Sequence, residues 1–227
     1  MKGYTPPARE AASARMAQRS AVMHSPNALA EPYRGVRSWP KELGEWPKFV
    51  YDSVAHRVKD LYTTSKVTSA VKGFDLNGFK REAAELYEEI SRAISTNSLG
   101  GCRHDVTDRV MSEFKSEAKK RTKSGWARMR WNLGPKWVEK VNVVQARLVA
   151  ASGDVNNAFA QFTVRFESMQ EFGAYDEKDR LVAGDPPEAG ANLRVVDYWV
   201  FERSLAAKSQ GNQRWRLCGR LLVEEDE

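Results

Sequence analysis

The spacing of hydrophobic positions changes near the middle of the chain. Between about residues 48 and 123, apolar residues recur every three or four positions, which is the spacing of a helix with one buried face. After Gly134 and Pro135, apolar and polar residues alternate, which is the spacing of strands that bury one face. Helices followed by consecutive strands with short connections predict an α+β domain, in which the helices pack on one face of an antiparallel sheet.

Three helices are predicted in the first half. The first spans about 48–71 and has basic residues opposite an apolar stripe, which consists of Val50, Val54, Val58 and Leu61. We expect this helix to cover its own domain, and contact with a membrane or a partner is the alternative. The second helix begins after an N-cap at Asp75 and runs to about residue 96. The third spans about 105–123, with Asp105 or Thr107 as its N-cap.

Four strands are predicted in the second half. They are Trp137–Ala150, Ala158–Met169, Leu193–Leu205 and Arg214–Val223. Residues 175–192 are rich in Asp, Pro and Gly, and this composition predicts a polar loop. A polar turn at 209–212 joins the last two strands, so we expect them to form a hairpin.

The beginning of the chain differs from the rest. Residues 1–48 contain six prolines, and each proline fixes φ and removes a backbone donor, so we expect an extended segment and not an independent fold. A partner would order this segment through its arginines, which are Arg9, Arg15, Arg19, Arg34 and Arg37. A short amphipathic helix resembling a transit peptide is the alternative at 8–23. The predicted division is an N-terminal extension, 1–71, and a folded domain, 72–227.

Charge is distributed unevenly. Residues 1–150 hold 27 Lys and Arg against 16 Asp and Glu, whereas residues 151–227 hold 9 against 14. A basic front part joined to a mildly acidic back part indicates that the front part meets an anionic partner. Nucleic acid and anionic lipid head groups are the natural candidates.

Positive charge is densest between Lys115 and Lys140, where nine basic residues face two acidic ones and three tryptophans are interleaved. Basic side chains can neutralise phosphates while indoles stack on exposed bases, a combination that suits folded RNA. Anionic lipid is the other partner we consider, and tryptophans packed into the sheet are the structural alternative. The candidate contact residues are Lys115, Lys119, Lys120, Arg121, Lys123, Trp126, Arg128, Arg130, Trp131 and Lys136.

The chain offers little catalytic chemistry. Its two cysteines and three histidines have no metal-ligand spacing, and no phosphate-binding glycine loop or nucleophile elbow is present. We therefore predict a protein that is not an enzyme and has no cofactor, no metal and no small-molecule substrate. Asp197 lies inside an apolar strand, and we expect it on the outer face or rim of the sheet rather than acting as a buried base. No stretch approaches the ~18 apolar residues that span a bilayer.

The last two predicted strands carry a family resemblance. The segments VVDYWVFERSL at 195–205 and RWRLCGRL at 214–221, joined by a short polar turn, resemble the C-terminal hairpin of Tim44-like domains. The upstream order of two helices and a long strand also matches, so the resemblance covers about 72–223. It implies a cone-shaped sheet of the nuclear-transport-factor-two-like kind, curled around helices. With the pattern above, we expect helices on a curved four-stranded antiparallel sheet.

The resemblance also implies functions. One branch of the family belongs to the large subunit of the mitochondrial ribosome and lies near the polypeptide exit. The wording of the hairpin and the short, proline-rich front part favour this branch. It implies ribosomal RNA and neighbouring ribosomal proteins as partners, and a matrix location peripheral to the inner membrane.

Two alternatives stay open at this point. The first is a scaffold of the presequence import motor, which belongs to the other mitochondrial branch of the family. The second is a small-molecule-binding or enzymatic domain built on the same cone.

Overall fold

The computed structural model describes residues 40–134, 140–150, 158–206 and 214–221. After a 3₁₀ turn at Leu43–Glu45 come three helices, α1 (Trp46–Ala70), α2 (Leu76–Ser95) and α3 (Asp108–Lys123). The strands are β1 (Arg128–Leu133), β2 (Val141–Ala150), β3 (Ala158–Tyr175), β4 (Leu181–Gly184), β5 (Leu193–Ser204) and β6 (Arg216–Leu221). The α+β class and the antiparallel sheet are confirmed.

The strand count was wrong, because the described residues form a sheet of six strands and not four. Its 18-residue strand, β3, is long enough to pair with β2 along its first half and with β1 along its second half, on the same edge. On the other edge β3 pairs with β5 and with the short β4, which lies in the predicted polar loop. Within the described part of the chain, the sheet ends at β6 and is not closed, so the cone-shaped form stays an expectation from the resemblance.

The core lies between α2 and one face of the sheet. Asp75 caps α2 as predicted, since its Oδ2 accepts the N–H of Gly78 at 2.8 Å. The buried face of α2 then places Phe79 4.9 Å from Phe162 and 4.6 Å from Trp215, measured between ring centroids. Buried aromatic pairs of this kind combine large apolar area with favourable ring geometry, so they hold α2 on the sheet.

The helix α1 covers its own domain, but not with the face that its sequence suggested. The apolar stripe points away from the sheet, and Val54 and Leu61 are 57% and 71% exposed. The buried residues of the helix are Thr63 and Val67. Asp60 explains this orientation, because its Oδ1 accepts the N–H of Ala146 on the edge strand β2 at 2.7 Å. An edge N–H needs an acceptor, and the polar face of α1 supplies it.

The face of the sheet opposite α2 carries an ion cluster. The carboxylate of Glu167 on β3 forms ion pairs with Arg165, Arg194 and Lys140. The nitrogen–oxygen distances are 2.8, 3.1 and 3.4 Å, respectively. The hydrogen bond from Arg165 is the main reason that the pKa of Glu167 falls from 4.5 to about 2. The cluster joins β3 to β5 and to the start of β2.

Replacing Glu167 with Gln should lower the free energy of unfolding by roughly 1 kcal/mol near pH 7. Because the folded pKa lies below the unfolded one, this contribution is complete above about pH 4.5 and disappears as the pH falls towards 2. Urea unfolding of wild type and Glu167→Gln across this range measures the effect. The exposed Glu177→Gln is the control, and a wild-type advantage that stayed constant down to pH 3 would contradict the assignment.

Candidate nucleic-acid interface

One face of α3 presents four exposed lysines, Lys115, Lys119, Lys120 and Lys123, which together form the lysine face. The helix begins at Thr107, whose side chain accepts the N–H of Val110 at 3.5 Å, and it buries Val110, Met111 and Phe114. Burial of that side directs the lysines outward, so their ammonium groups lie in solvent.

The lysine face has no counter-charge among the described residues. Within the parts of the chain that the structure describes, none of its four ammonium groups lies within 4.0 Å of a carboxylate. Two of the three acidic residues of α3 are already engaged: Glu113 pairs with Arg109 at 3.0 Å, and Glu117 pairs with Arg220 of β6. Four neighbouring positive charges without a partner repel one another, so an external anion would relieve the repulsion.

Arg121 points away from the lysine face. Its Nη1 donates to the carbonyl of Ile94 at 3.4 Å and lies 3.1 Å from Sδ of Met129. Burial lowers the pKa of this guanidinium, and its Nη2 is buried without a partner. The side chain thus closes the C-terminal end of α2, where carbonyl groups lack helical partners.

The candidate residues on β1 have mixed surroundings. Arg128 is exposed, pairs with Asp179 at 2.5 Å and lies over the ring of Tyr175 at 4.2 Å. Arg130 is half-buried and donates to the carbonyl of Asp185 at 3.5 Å. These arginines therefore already hold the turn between β3 and β4 and the residue after β4.

The two described tryptophans of the basic segment differ. Trp126 is half-buried, lies 5.8 Å from Phe172 between ring centroids, and borders an open hollow of about 280 Å³. Trp131 packs toward the core, where its Nε1–H donates to Oε1 of Gln170 at 2.7 Å. Trp131 therefore packs into the sheet, which was the structural alternative to an RNA contact, whereas the ring of Trp126 stays partly exposed.

Other candidates lie elsewhere in the chain. Lys136 and the five arginines of the N-terminal extension lie outside the described residues. Sequence analysis offered no reason to select Arg220, which forms an ion pair with Glu117 and lies over the ring of Phe114 at 4.8 Å. No sequence signal could have identified this contact, because β6 is about 100 residues away from α3.

Asp197 lies on the face of the sheet that α2 covers and belongs to a polar network there. The expectation that it lies on the outer face was therefore wrong. Tyr87 of α2 donates to its Oδ2 at 2.6 Å, and the same hydroxyl accepts from Gln170 at 2.8 Å. Burial raises the pKa of Asp197, and burial together with the neighbouring Asp197 raises the pKa of Tyr87. With Trp131 bonded to Gln170, the network ties α2 to β1, β3 and β5.

The described residues also bear on metal binding and membrane insertion. No group of three or more His, Cys, Asp or Glu side chains among them could hold a metal ion. None of the described helices combines the length and the hydropathy that a membrane-spanning segment requires.

Replacing Tyr87 with Phe should lower the free energy of unfolding by about 1–3 kcal/mol, because Asp197 and Gln170 lose a buried partner. Chemical denaturation near pH 7 measures the change. Tyr51→Phe is the matched control, since Tyr51 is 74% exposed and should change stability by less than about 0.5 kcal/mol. Equal effects of the two substitutions would show that the network does not contribute.

Comparison with known proteins identifies the family. The Tim44-like domain matches residues 63–220, from within α1 to β6. The large ribosomal subunit protein mL45 of Drosophila melanogaster is 28% identical over 166 residues, which are 73% of this chain and 42% of that protein. The chain therefore spans less than half the length of that relative. The match over more than half of the chain confirms the resemblance seen in the C-terminal hairpin, and the chain belongs to the Tim44-like domain family.

Proposed function

We propose that this protein is a non-enzymatic structural component of the large subunit of the mitochondrial ribosome. It contacts ribosomal RNA and neighbouring ribosomal proteins near the polypeptide exit and helps to position the ribosome at the inner membrane from the matrix side. Its family and its similarity to a large ribosomal subunit protein support this proposal. The observation that carries it is the lysine face without a counter-charge.

The spacing of the lysine face suits a phosphate backbone. Lys115, Lys119 and Lys123 follow one another at four-residue steps, which correspond to a rise of about 6 Å each along the helix. Their flexible ammonium groups act as point charges that can reach irregularly placed phosphates. Each neutralised phosphate releases a counterion, so binding through this face depends steeply on salt. Trp126, beside the end of α3, adds a partly exposed ring on which a base can stack.

The exposed stripe of α1 supports the membrane part of the proposal. Valines, Leu61 and aromatic rings face solvent along this helix, and its lysines, Lys48, Lys59 and Lys66, lie beside them. An apolar face flanked by basic residues is typical of a helix that lies in the interface of an anionic bilayer. This contact is peripheral, because the helix buries only one face.

The RNA contact is tested by reversing three charges. Lys115→Glu, Lys119→Glu and Lys123→Glu together should release the tagged protein from the large ribosomal subunit at lower salt in sedimentation of solubilised mitochondria. For RNA binding in solution, the slope of log K against log salt should become shallower by about 2–3. Ribonuclease should move the wild-type protein to light fractions.

The matched control has the same change in net charge elsewhere on the surface. It combines Lys41→Glu, Lys72→Glu and Lys178→Glu, all at exposed lysines outside the lysine face. Equal loss in both triple variants would contradict a specific contact. Sedimentation of the wild type with translocase subunits, independent of RNA, would replace the ribosomal proposal with the import scaffold.

The membrane contact is tested by flotation with vesicles that contain anionic lipid. Val54→Asp with Leu61→Asp should reduce binding by about tenfold or more, because two apolar side chains no longer enter the interface. Leu181→Asp with Val182→Asp on β4 is the control, since it removes exposed apolar side chains and adds the same charge away from α1. The stripe is not a membrane contact if the two pairs behave alike.

A further inference from the structure

The edge of β2 beside α1 has backbone polar groups for which the described residues supply no partner. Within the described residues, β2 pairs with β3 alone. Because the N–H of Ala146 points outward to Asp60, the alternation of an antiparallel pair also directs the N–H and C=O of Leu148 and Ala150 outward. No described group accepts the N–H of either residue. An open edge of this kind is a template for another extended chain.

A groove lies along this edge. It has a volume of about 640 Å³ and runs between α1, from His56 to Thr63, and β2, from Gln145 to Leu148. Inside it, Oε1 of Gln145 is buried and receives no hydrogen bond from the part of the chain that the structure describes. An unpaired buried acceptor costs free energy, which a donor from an occupant would recover.

The lining of the groove restricts its occupant. Val58, Tyr62 and Leu148 supply apolar surface, while Lys59 and Arg147 are exposed cations. Asp60 is the one carboxylate in the lining, and it is occupied by the N–H of Ala146. We infer that this groove binds an extended polypeptide segment with alternating acidic and apolar residues, which adds to the free edge of β2 as a further strand.

Strand addition accounts for all three observations. Backbone groups of the segment pair with those of Leu148 and Ala150, and a donor of the segment reaches Gln145. Carboxylates meet the cationic rim, and apolar side chains cover Val58 and Tyr62. At about 3.4 Å per residue, the edge from Gln145 to Ala150 accommodates about six residues of the segment. The site shares Val58, Lys59 and Tyr62 with the stripe proposed to meet the membrane, but it does not include the lysine face that carries the proposed function, so the two proposals can fail independently.

The test uses the full chain and a capped decapeptide of alternating Glu and Val. Amide hydrogen exchange followed by NMR should show that the N–H of Leu148 exchanges about tenfold more slowly when the peptide is bound. The N–H of Arg147 points toward β3 and should be slow in both states, so it is an internal control. A peptide of alternating Lys and Val, and a Glu–Val peptide methylated on every backbone nitrogen, should not protect Leu148.

Substitutions then test the cationic rim. Lys59→Glu should weaken binding of the Glu–Val peptide by about fivefold, because an attraction becomes a repulsion. Lys72→Glu, at an exposed lysine just after α1 and outside the groove, should leave binding unchanged.

Several results would overturn the inference. They are absence of Glu–Val binding at millimolar peptide, equal binding of the methylated peptide, and a Leu148 amide that is already protected in the free protein. Protection that rises with protein concentration alone would identify a second copy as the occupant. Protection by anionic vesicles and not by the peptide would identify lipid.

Discussion

Every strand except β6 hydrogen-bonds to β3, and this single 18-residue strand determines where the remaining elements lie. Its first half accepts β2 and its second half accepts β1 on one edge, while β5 occupies most of the other edge. Most of its side chains are buried, including polar ones such as Gln161 and Thr163. Such a strand cannot shift its register by one residue, because that shift would exchange Phe162 and Phe166 for polar side chains against α2.

Sequence reasoning succeeded where the signal was local. Residues close in sequence determine the caps of α2 and α3, the apolar stripes of these helices and the hairpin of β5 and β6. It failed for β1 because the partner of that strand is the distant second half of β3 and because its apolar positions, Met129, Trp131 and Leu133, include no β-branched residue. It failed for β4 because that strand has only four residues and lies in a segment rich in Asp, Pro and Gly. The direction of the stripe on α1 was also beyond the sequence, since the edge of β2 selects which face of α1 is buried.

The candidate site shows the same limit. The sequence identified the basic segment as a run of positive charge, but the side chains of this run point in different directions in the structure. Lysines of α3 remain exposed, whereas Arg121 and Trp131 turn toward Ile94 and Gln170, which belong to other elements. The difference between the two cations is physical: a planar guanidinium can satisfy several fixed acceptors inside a structure, and an ammonium group is better hydrated at the surface.

The strands β2 and β1, which pair with the same edge of β3, leave that edge without a partner strand between Phe166 and Gln170. The chain leaves β1 there at Gly134, whose N–H donates to the carbonyl of Met169 at 2.7 Å, and a Cβ on Gly134 would lie only 2.9 Å from the same oxygen. Among the described residues, no strand on this edge bridges the two halves of the sheet, so the local twist of β3 and of its partner β5 sets the angle between them. Since α1 packs on β2 and β1 directly follows α3, a bend of β3 at this point would change the angle between the apolar stripe of α1 and the lysine face of α3.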